Sequence, residues 1–179
     1  VKNGVYANTI GGNGFASNYF ENSILNVGTA TFQNTTSLVT DTGALTLVNS
    51  QLNNAGTKLF AVTGCERGIF TVVDSVLNLP DGNTLASVGN RDGVNAITDV
   101  TVDPAGIDEY KALWDGEMAI RFFGDVTIIT ADATLTVDVA EGGELTIYSA
   151  NLTEADFTNL GTGTLNVVTD PAYGTVTVR

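Results

Sequence analysis

Acidic and amide side chains recur at a fixed interval along the chain, and they are residue types that could bind a metal ion. Asn49, Asp74, Asp99 and Gly124 are spaced about 25 residues apart, so winding the chain at that period places the two aspartates side by side. Ca²⁺ prefers clustered carboxylate and amide oxygens. Asp74 and Asp99 are therefore candidate Ca²⁺ ligands, and the alternative is a solvated acidic stripe that binds nothing.

Two aromatic residues form the second candidate site. Tyr110 and Trp114 lie in the segment 103–118, where Pro104 and apolar residues at helical spacing predict a short helical excursion near residues 104–114. Exposed aromatic rings in that place could stack on a carbohydrate or contact a partner. The alternative is that these residues close over the flank of the fold.

Groups that could catalyse a reaction are scarce. The chain has no histidine, and seven Lys and Arg stand against twenty Asp and Glu. Glycoside hydrolysis needs a pair of carboxylates and lyase chemistry needs a base with a cation, whereas an exposed ion pair explains Arg121 and Asp125. The single cysteine, Cys65, has no general base near it in sequence and leaves no internal disulfide. We predict no catalytic residue.

The charge balance narrows the range of partners. A formal net charge of −13 repels nucleic-acid phosphates and anionic membrane surfaces. No apolar run approaches the roughly 18 residues that span a bilayer. Nucleic-acid binding and membrane insertion are therefore not expected.

A repeat organises the elements that must position these residues. Gly43, Gly68, Gly93 and Gly143 recur at about 25 residues or twice that interval, and alternating apolar segments such as ALTLVNSQL, IFTVVDSVL and ELTIYSANL follow in the same phase. Thr and Val suit strands, and Asn and Gly suit turns. The sequence predicts an all-β fold, a single parallel β-solenoid of about 25 residues per coil. It spans residues 1–179 as one domain, with residues 1–17 as an N-terminal pairing strand or cap.

The repeat also predicts which side chains stack in the core. Three inward columns follow from the period: Leu47, Val72, Ile97, Phe122 and Ile147; Leu52, Leu77, Val102, Thr127 and Leu152; and Phe60, Leu85, Tyr110, Leu135 and Leu160.

The glycines, the alternating aliphatic residues, and the Asn or Ser at turns, as in TLVNSQLNNAG and TVVDSVLNLPDG, resemble the right-handed parallel β-helices of the pectin-lyase-like superfamily. That superfamily includes polysaccharide lyases and hydrolases, phage tailspikes and fibres, and bacterial surface adhesins. The resemblance therefore implies an architecture and leaves the function open.

Both ends of the sequence alternate like strands, in VKNGVYANTI and in YGTVTVR. Terminal coils of a solenoid expose unpaired backbone, so these segments predict contacts between copies of the chain. The candidate assembly residues are Val1, Val5, Tyr6, Ile10, Val176 and Val178. Residues 1–10 are the expected donated strand, and the alternative is that they fold back on their own first coil.

The sequence favours a structural, self-assembling subunit of an extracellular filament, a surface layer or a virion fibre. The second hypothesis is a carbohydrate-binding or carbohydrate-cleaving β-helix. An ice-binding solenoid would need an unbroken outward column of threonines, and Ala96 and Arg121 interrupt the one that Thr46, Thr71 and Thr146 begin.

Overall fold

The computed structural model describes residues 1–7, 10–13, 17–28, 30–33, 42–63, 67–89 and 116–179. These residues form eighteen strands and a 3₁₀ helix at Glu154–Asp156. The strands are β1 Val5–Tyr6, β2 Ile10–Asn13, β3 Ser17–Glu21, β4 Ile24–Val27, β5 Ala30–Gln33, β6 Thr42–Val48, β7 Gln51–Asn54, β8 Lys58–Thr63, β9 Arg67–Val73, β10 Val76–Asn78, β11 Thr84–Val88, β12 Glu117–Phe123, β13 Asp125–Ile129, β14 Leu135–Val139, β15 Glu144–Ser149, β16 Phe157–Asn159, β17 Thr164–Thr169 and β18 Thr175–Val178.

All neighbouring strands are parallel, and they form three six-stranded sheets. Sheet A has the order β3-β6-β9-β12-β15-β17, sheet B the order β1-β4-β7-β10-β13-β18, and sheet C the order β2-β5-β8-β11-β14-β16. From β1 to β15 the chain visits sheets B, C and A in turn. The all-β prediction is confirmed, and the arrangement is consistent with a parallel β-solenoid.

The strands form where apolar and polar residues alternate, because successive side chains of a strand point to opposite faces. In β12, Met118, Ile120 and Phe122 are buried, while Ala119 and Arg121 lie on the outer face. The inward residues of the three sheets meet in one core, which includes Leu25, Leu47, Leu52, Phe60, Phe70, Val72, Leu77, Ile120, Phe122, Val137 and Ile147.

A column of left-handed residues turns the chain from sheet A into sheet B. Asn3, Asn22, Asn49 and Asp74 have φ of 54°, 50°, 45° and 46°, and Gly124 continues the column at 64°. Asn and Asp adopt this conformation more readily than other residues with a side chain, and glycine adopts it freely. Amide side chains connect the column, since Asn49 Nδ2 donates to Asn22 Oδ1 at 2.6 Å.

A buried serine ladder follows that column. The backbone N–H of Ser23 donates to Ser50 Oγ at 3.1 Å, and the N–H of Ser50 donates to Ser75 Oγ at 3.0 Å. Each hydroxyl also donates to the carbonyl two residues earlier in its own pass, at 2.9 Å for Ser23 and 2.8 Å for Ser50. Each serine thus links neighbouring passes and leaves no buried hydroxyl unsatisfied.

The spacing between stacked residues varies from pass to pass, so the uniform 25-residue coil is not confirmed. Ser50 and Ser75 are 25 residues apart, but Ser23 and Ser50 are 27 apart. Near the other end, Glu144 of β15 pairs with Thr164 of β17, and these two residues are 20 apart. The passes differ in length mainly through the segments between strands.

The first predicted column is correct only in part. Leu47 pairs with Val72, and Val72 pairs with Phe122, since β9 lies directly beside β12. Ile147 pairs with Ile120 instead of Phe122. Two extra residues in that pass shift the register by two, and a shift of two keeps the same face inward.

The other two columns are wrong where the register changes by one residue. Leu77 pairs with Ile128, so Thr127 faces outward. In sheet C, Phe60 pairs with Ala86 across a register irregularity between Thr84 and Ala86, but Leu85 and Leu135 are buried as predicted. Leu160 is exposed. A one-residue slip moves a side chain to the opposite face of its sheet.

Several predictions fall on residues outside the described ranges. They are the helical excursion near residues 104–114, Tyr110, Trp114, Asp99, Ile97, Val102 and Cys65.

Replacing Val72 by Asp should destabilise the protein by at least about 3 kcal/mol, because a carboxylate would be buried in an apolar column without a partner. Thr71→Asp is the matched control, since Thr71 lies on the outer face of the same strand. Urea denaturation measures both variants. Equal midpoints for the two would contradict the inward assignment of Val72.

Candidate assembly site

The N-terminal segment lies along the chain's own first pass. The N–H of Glu21 donates to the Val1 carbonyl at 3.0 Å, and the N–H of Asn3 donates to the Glu21 carbonyl at 2.9 Å. Strand β1 then pairs with β4, and β2 pairs with β5. The structure therefore has the arrangement expected from the fold-back alternative, in which these residues pair with their own chain.

The predicted assembly residues of this segment differ in their surroundings. Val1 and Val5 are exposed, and Tyr6 packs on the core with its ring 5.2 Å from that of Phe20. Ile10 begins β2 and pairs with Ala30 of β5. Exposed apolar side chains therefore flank this end of sheet B.

An exposed ion pair holds the N-terminal segment against β3. Lys2 Nζ lies 2.6 Å from Glu21 Oε2, and the Tyr19 hydroxyl donates to the same oxygen at 3.3 Å. The hydrogen bond and the charge of Lys2 lower the pKa of Glu21, and the same contact raises the pKa of Lys2. Both groups are open to solvent, so this pair positions the segment without adding much stability.

The C-terminal strand β18 carries the other two predicted assembly residues. It pairs with β13, with Val126 beside Val176 and Ile128 beside Val178. Val176 is only 3% exposed, whereas Val178 is 39% exposed. The segment YGTVTVR thus forms the predicted strand, and its first valine is part of the core.

Asn151 occupies the other edge of β18. Its Nδ2 donates to the Val176 carbonyl at 2.8 Å, and its Oδ1 accepts from the Val176 N–H at 2.7 Å. One side-chain amide therefore replaces the backbone of a further strand. Sequence reasoning missed this role, because Asn151 stands in an Asn-Leu-Thr sequence that looks like any turn or glycosylation site.

Among the residues that the structure describes, the last strands of sheets A and C lack the side-chain amide that covers the outer edge of β18 in sheet B. β17 is the last strand of sheet A and β16 the last of sheet C, and neither has a second neighbouring strand within the described residues. Leu165 and Val167 of β17 are only partly buried against the core, and Leu160, just after β16, is 66% exposed. This surface, formed by β16, β17 and Leu160, is called the C-terminal edge below.

The predicted Ca²⁺ site has one described member. Asp74 Oδ1 accepts a hydrogen bond from the N–H of Asp125 at 3.0 Å, and its carboxylate lies against the Cα of Gly124. Within the described ranges, no three Asp, Glu, His or Cys side chains are grouped closely enough to hold a metal. The Ca²⁺ site therefore stays a prediction.

A shallow groove on the outer face of sheet A was missed by sequence reasoning. It has a volume of about 290 Å³ and is lined by Ile69, Glu117, Met118, Ala119, Arg121, Glu144, Thr146 and Tyr148. The Arg121 guanidinium lies 5.8 Å from the centre of the Tyr148 ring, and that ring lies 5.1 Å from the Tyr173 ring at an angle of 42°. The uniform period hid this grouping, since Arg121 pairs with Tyr148 rather than with Thr146.

Comparison with protein-family models, with curated proteins and with solved structures gives no match. In the part of the chain that the structure describes, no helix is both long and apolar enough to cross a membrane.

Acid should loosen the N-terminal segment. The lowered pKa of Glu21 means that its contribution is present above the unfolded-state pKa and is lost as the pH falls through the folded-state pKa. The raised pKa of Lys2 means that its contribution is lost only as the pH rises through a value above the ordinary lysine pKa. The pair should therefore hold between about pH 5 and pH 10.

Chemical shifts of the Asn3 and Val76 amides in ¹H–¹⁵N NMR spectra measure this response. The Asn3 shift should change below about pH 4, whereas the Val76 amide, which donates to the Ser50 carbonyl in sheet B, should change little. In Glu21→Gln the acid response of Asn3 should disappear. An unchanged response in that variant would assign it to another group.

Gly174→Ala should destabilise the protein by about 1–3 kcal/mol, because a Cβ at this position would overlap the backbone of Phe123 and Gly124. Gly28→Ala is the control, since a Cβ there meets no atom within 4 Å and the change should stay within about 0.5 kcal/mol. Urea denaturation compares the two, and equal stabilities would show that β18 tolerates displacement at Gly174.

Proposed function

We propose that the chain forms a single parallel β-solenoid and serves as a structural, self-assembling subunit of an extracellular filament, a surface layer or a virion fibre. Copies would join end to end or by strand addition. The observation that supports this proposal most is the C-terminal edge, where two parallel sheets end beside partly exposed core residues.

The physical argument starts from the backbone of the end strands. A strand at the end of a sheet presents N–H and C=O groups that can pair with another chain. At the C-terminal edge, Leu165 and Val167 add apolar surface beside those groups, so an added strand would gain both hydrogen bonds and burial. β17 is six residues long, which gives a partner a longer ladder than β16 offers.

Charge sets the conditions for assembly. The net charge of −13 opposes close approach of two copies at low ionic strength. Near the C-terminal edge, Glu154 and Asp170 are exposed, whereas Lys2 lies at the opposite end of the stack beside β3. Added salt or divalent cations should therefore strengthen association by screening the repulsion.

The alternative function is carbohydrate binding, and the groove on sheet A favours it. Half-buried Tyr148 offers an aromatic face, while Arg121 and Glu144 offer donors and acceptors for hydroxyl groups. The groove is shallow and offers one aromatic ring, whereas the C-terminal edge offers both backbone groups and apolar surface, so assembly is the main proposal. Discrete monomers that bind or depolymerise a polysaccharide would favour the alternative.

Leu160→Asp should weaken association at least about tenfold, because a carboxylate would have to be desolvated in the contact. Ile24→Asp is the control: Ile24 is also exposed, but it lies on β4 of sheet B, away from the C-terminal edge and from β13. Light scattering across protein concentration and salt, with negative-stain images, gives the mass and shape of the assemblies. A wild-type protein that stays monomeric in every condition would contradict the proposal.

A further inference from the structure

Strand β18 is inserted out of winding order. Each other strand of sheet B lies beside the strand that the chain formed on the preceding visit to that sheet, but four strands separate β13 from β18 in the chain. After β15, residues 150–153 pass this position without forming a strand and lead to the 3₁₀ helix. The chain then completes β16 and β17 before β18 returns to pair with β13.

The place that β18 occupies is a slot with hydrogen-bonding groups on both sides. On one side, the N–H of Thr175 donates to the Gly124 carbonyl and that of Arg179 to the Ile128 carbonyl, both at 2.9 Å. On the other side, the Asn151 amide bonds both backbone groups of Val176. The slot therefore binds an extended strand through its backbone and one buried valine.

Other strands build the walls of this slot. β13 is held by β10, and Ser149, which precedes Ala150 and Asn151, is the last residue of β15, which pairs with β12 and β17. These contacts do not involve β18, and the Ala150 N–H, which donates to the Gly174 carbonyl at 2.7 Å, can make the same bond to an exchanged strand. The slot would therefore offer the same groups to a β18 strand from another copy of the chain.

A short surface turn connects β17 to β18. Asp170 Oδ1 accepts from the Ala172 N–H at 2.8 Å, and the Asp170 carbonyl accepts from the Tyr173 N–H at 2.9 Å. Asp170, Pro171 and Ala172 are exposed. Opening the turn breaks local hydrogen bonds and the ring contacts of Tyr173 with Phe123 and Tyr148, but it leaves the slot walls in place.

We propose that β18 of one copy inserts into the slot between β13 and Asn151 of a second copy. The inference rests on the proposed self-assembly and replaces residues 1–10 with residues 174–179 as the donated strand. An exchanged strand makes the same contacts as the strand folded back, so only the turn and the protein concentration decide between the two states. Residues 170–173 extend over at most about 14 Å, so the two copies must bring their C-terminal edges close together.

Cross-linking between single-cysteine variants tests the exchange. Thr127 and Thr177 are register partners on the outer face of sheet B, and the spacing of about 4.8 Å between neighbouring strands is within the Cα separations that disulfides span. Thr127→Cys and Thr177→Cys are each made in a Cys65→Ala background, mixed at high concentration, warmed below the unfolding transition, cooled and oxidised. Any disulfide between positions 127 and 177 then joins two chains, and mass spectrometry of the linked peptides measures it.

The control pair is Gln51→Cys mixed with Val76→Cys. These residues are also register partners on the outer face of sheet B, but they lie on β7 and β10 inside the stack. The 127–177 link should form at least about ten times more than the 51–76 link, which reports random collisions. Equal yields would overturn the exchange of β18.

Light scattering of the wild-type protein separates this inference from the proposed function. Association of the wild type without excess 127–177 linkage would leave self-assembly standing and exclude the exchanged strand. A wild type that is monomeric, with linkage at the control level, would overturn both. Excess linkage that rises with protein concentration supports both.

Discussion

The three parallel sheets depend on one repeated requirement, which is that the chain turns at the same corner after β3, β6, β9 and β12. At the corner between sheets A and B, the left-handed residues reverse the backbone direction, and the serine ladder behind them bonds one pass to the next. A buried N–H without an acceptor would cost about 1–3 kcal/mol, so each serine fixes its neighbour's position. The strands on either side then pair in register. Variation in length is confined to the segments elsewhere in each pass.

At the same corner, the hydrogen bonding between passes changes at Asp74. The amide side chains of Asn3, Asn22 and Asn49 can both donate and accept, so they continue along the column. An ionised carboxylate only accepts, and Asp74 turns to the backbone N–H of Asp125 in the next pass. Gly124 makes this contact feasible, because any Cβ at that position would overlap the carboxylate. The column of hydrogen-bonded amide side chains thus ends before Asp74, whose carboxylate accepts from the backbone of the next pass.

Sequence reasoning succeeded where the physics is local. Alternation in segments such as IFTVVDSVL fixes which residues face inward, and Leu47, Val72 and Phe122 do share one inward column. The period could not fix the register, because passes of 25 and 27 residues place the same face inward and leave the same pattern. Nor could alternation show which strand lies beside which. YGTVTVR reads as a strand in any position, and only the structure places it between β13 and Asn151. The contact between Arg121 and Tyr148 could not be predicted either, because it depends on the register between β12 and β15.

The late position of β18 in the chain has a consequence for synthesis on the ribosome. Four strands are made between β13 and its partner β18, and at about 5–20 residues per second the intervening chain takes several seconds to appear. During that interval one edge of β13 has no strand beside it from its own chain. The order of synthesis thus makes this part of sheet B complete only after β14 to β17 have been made.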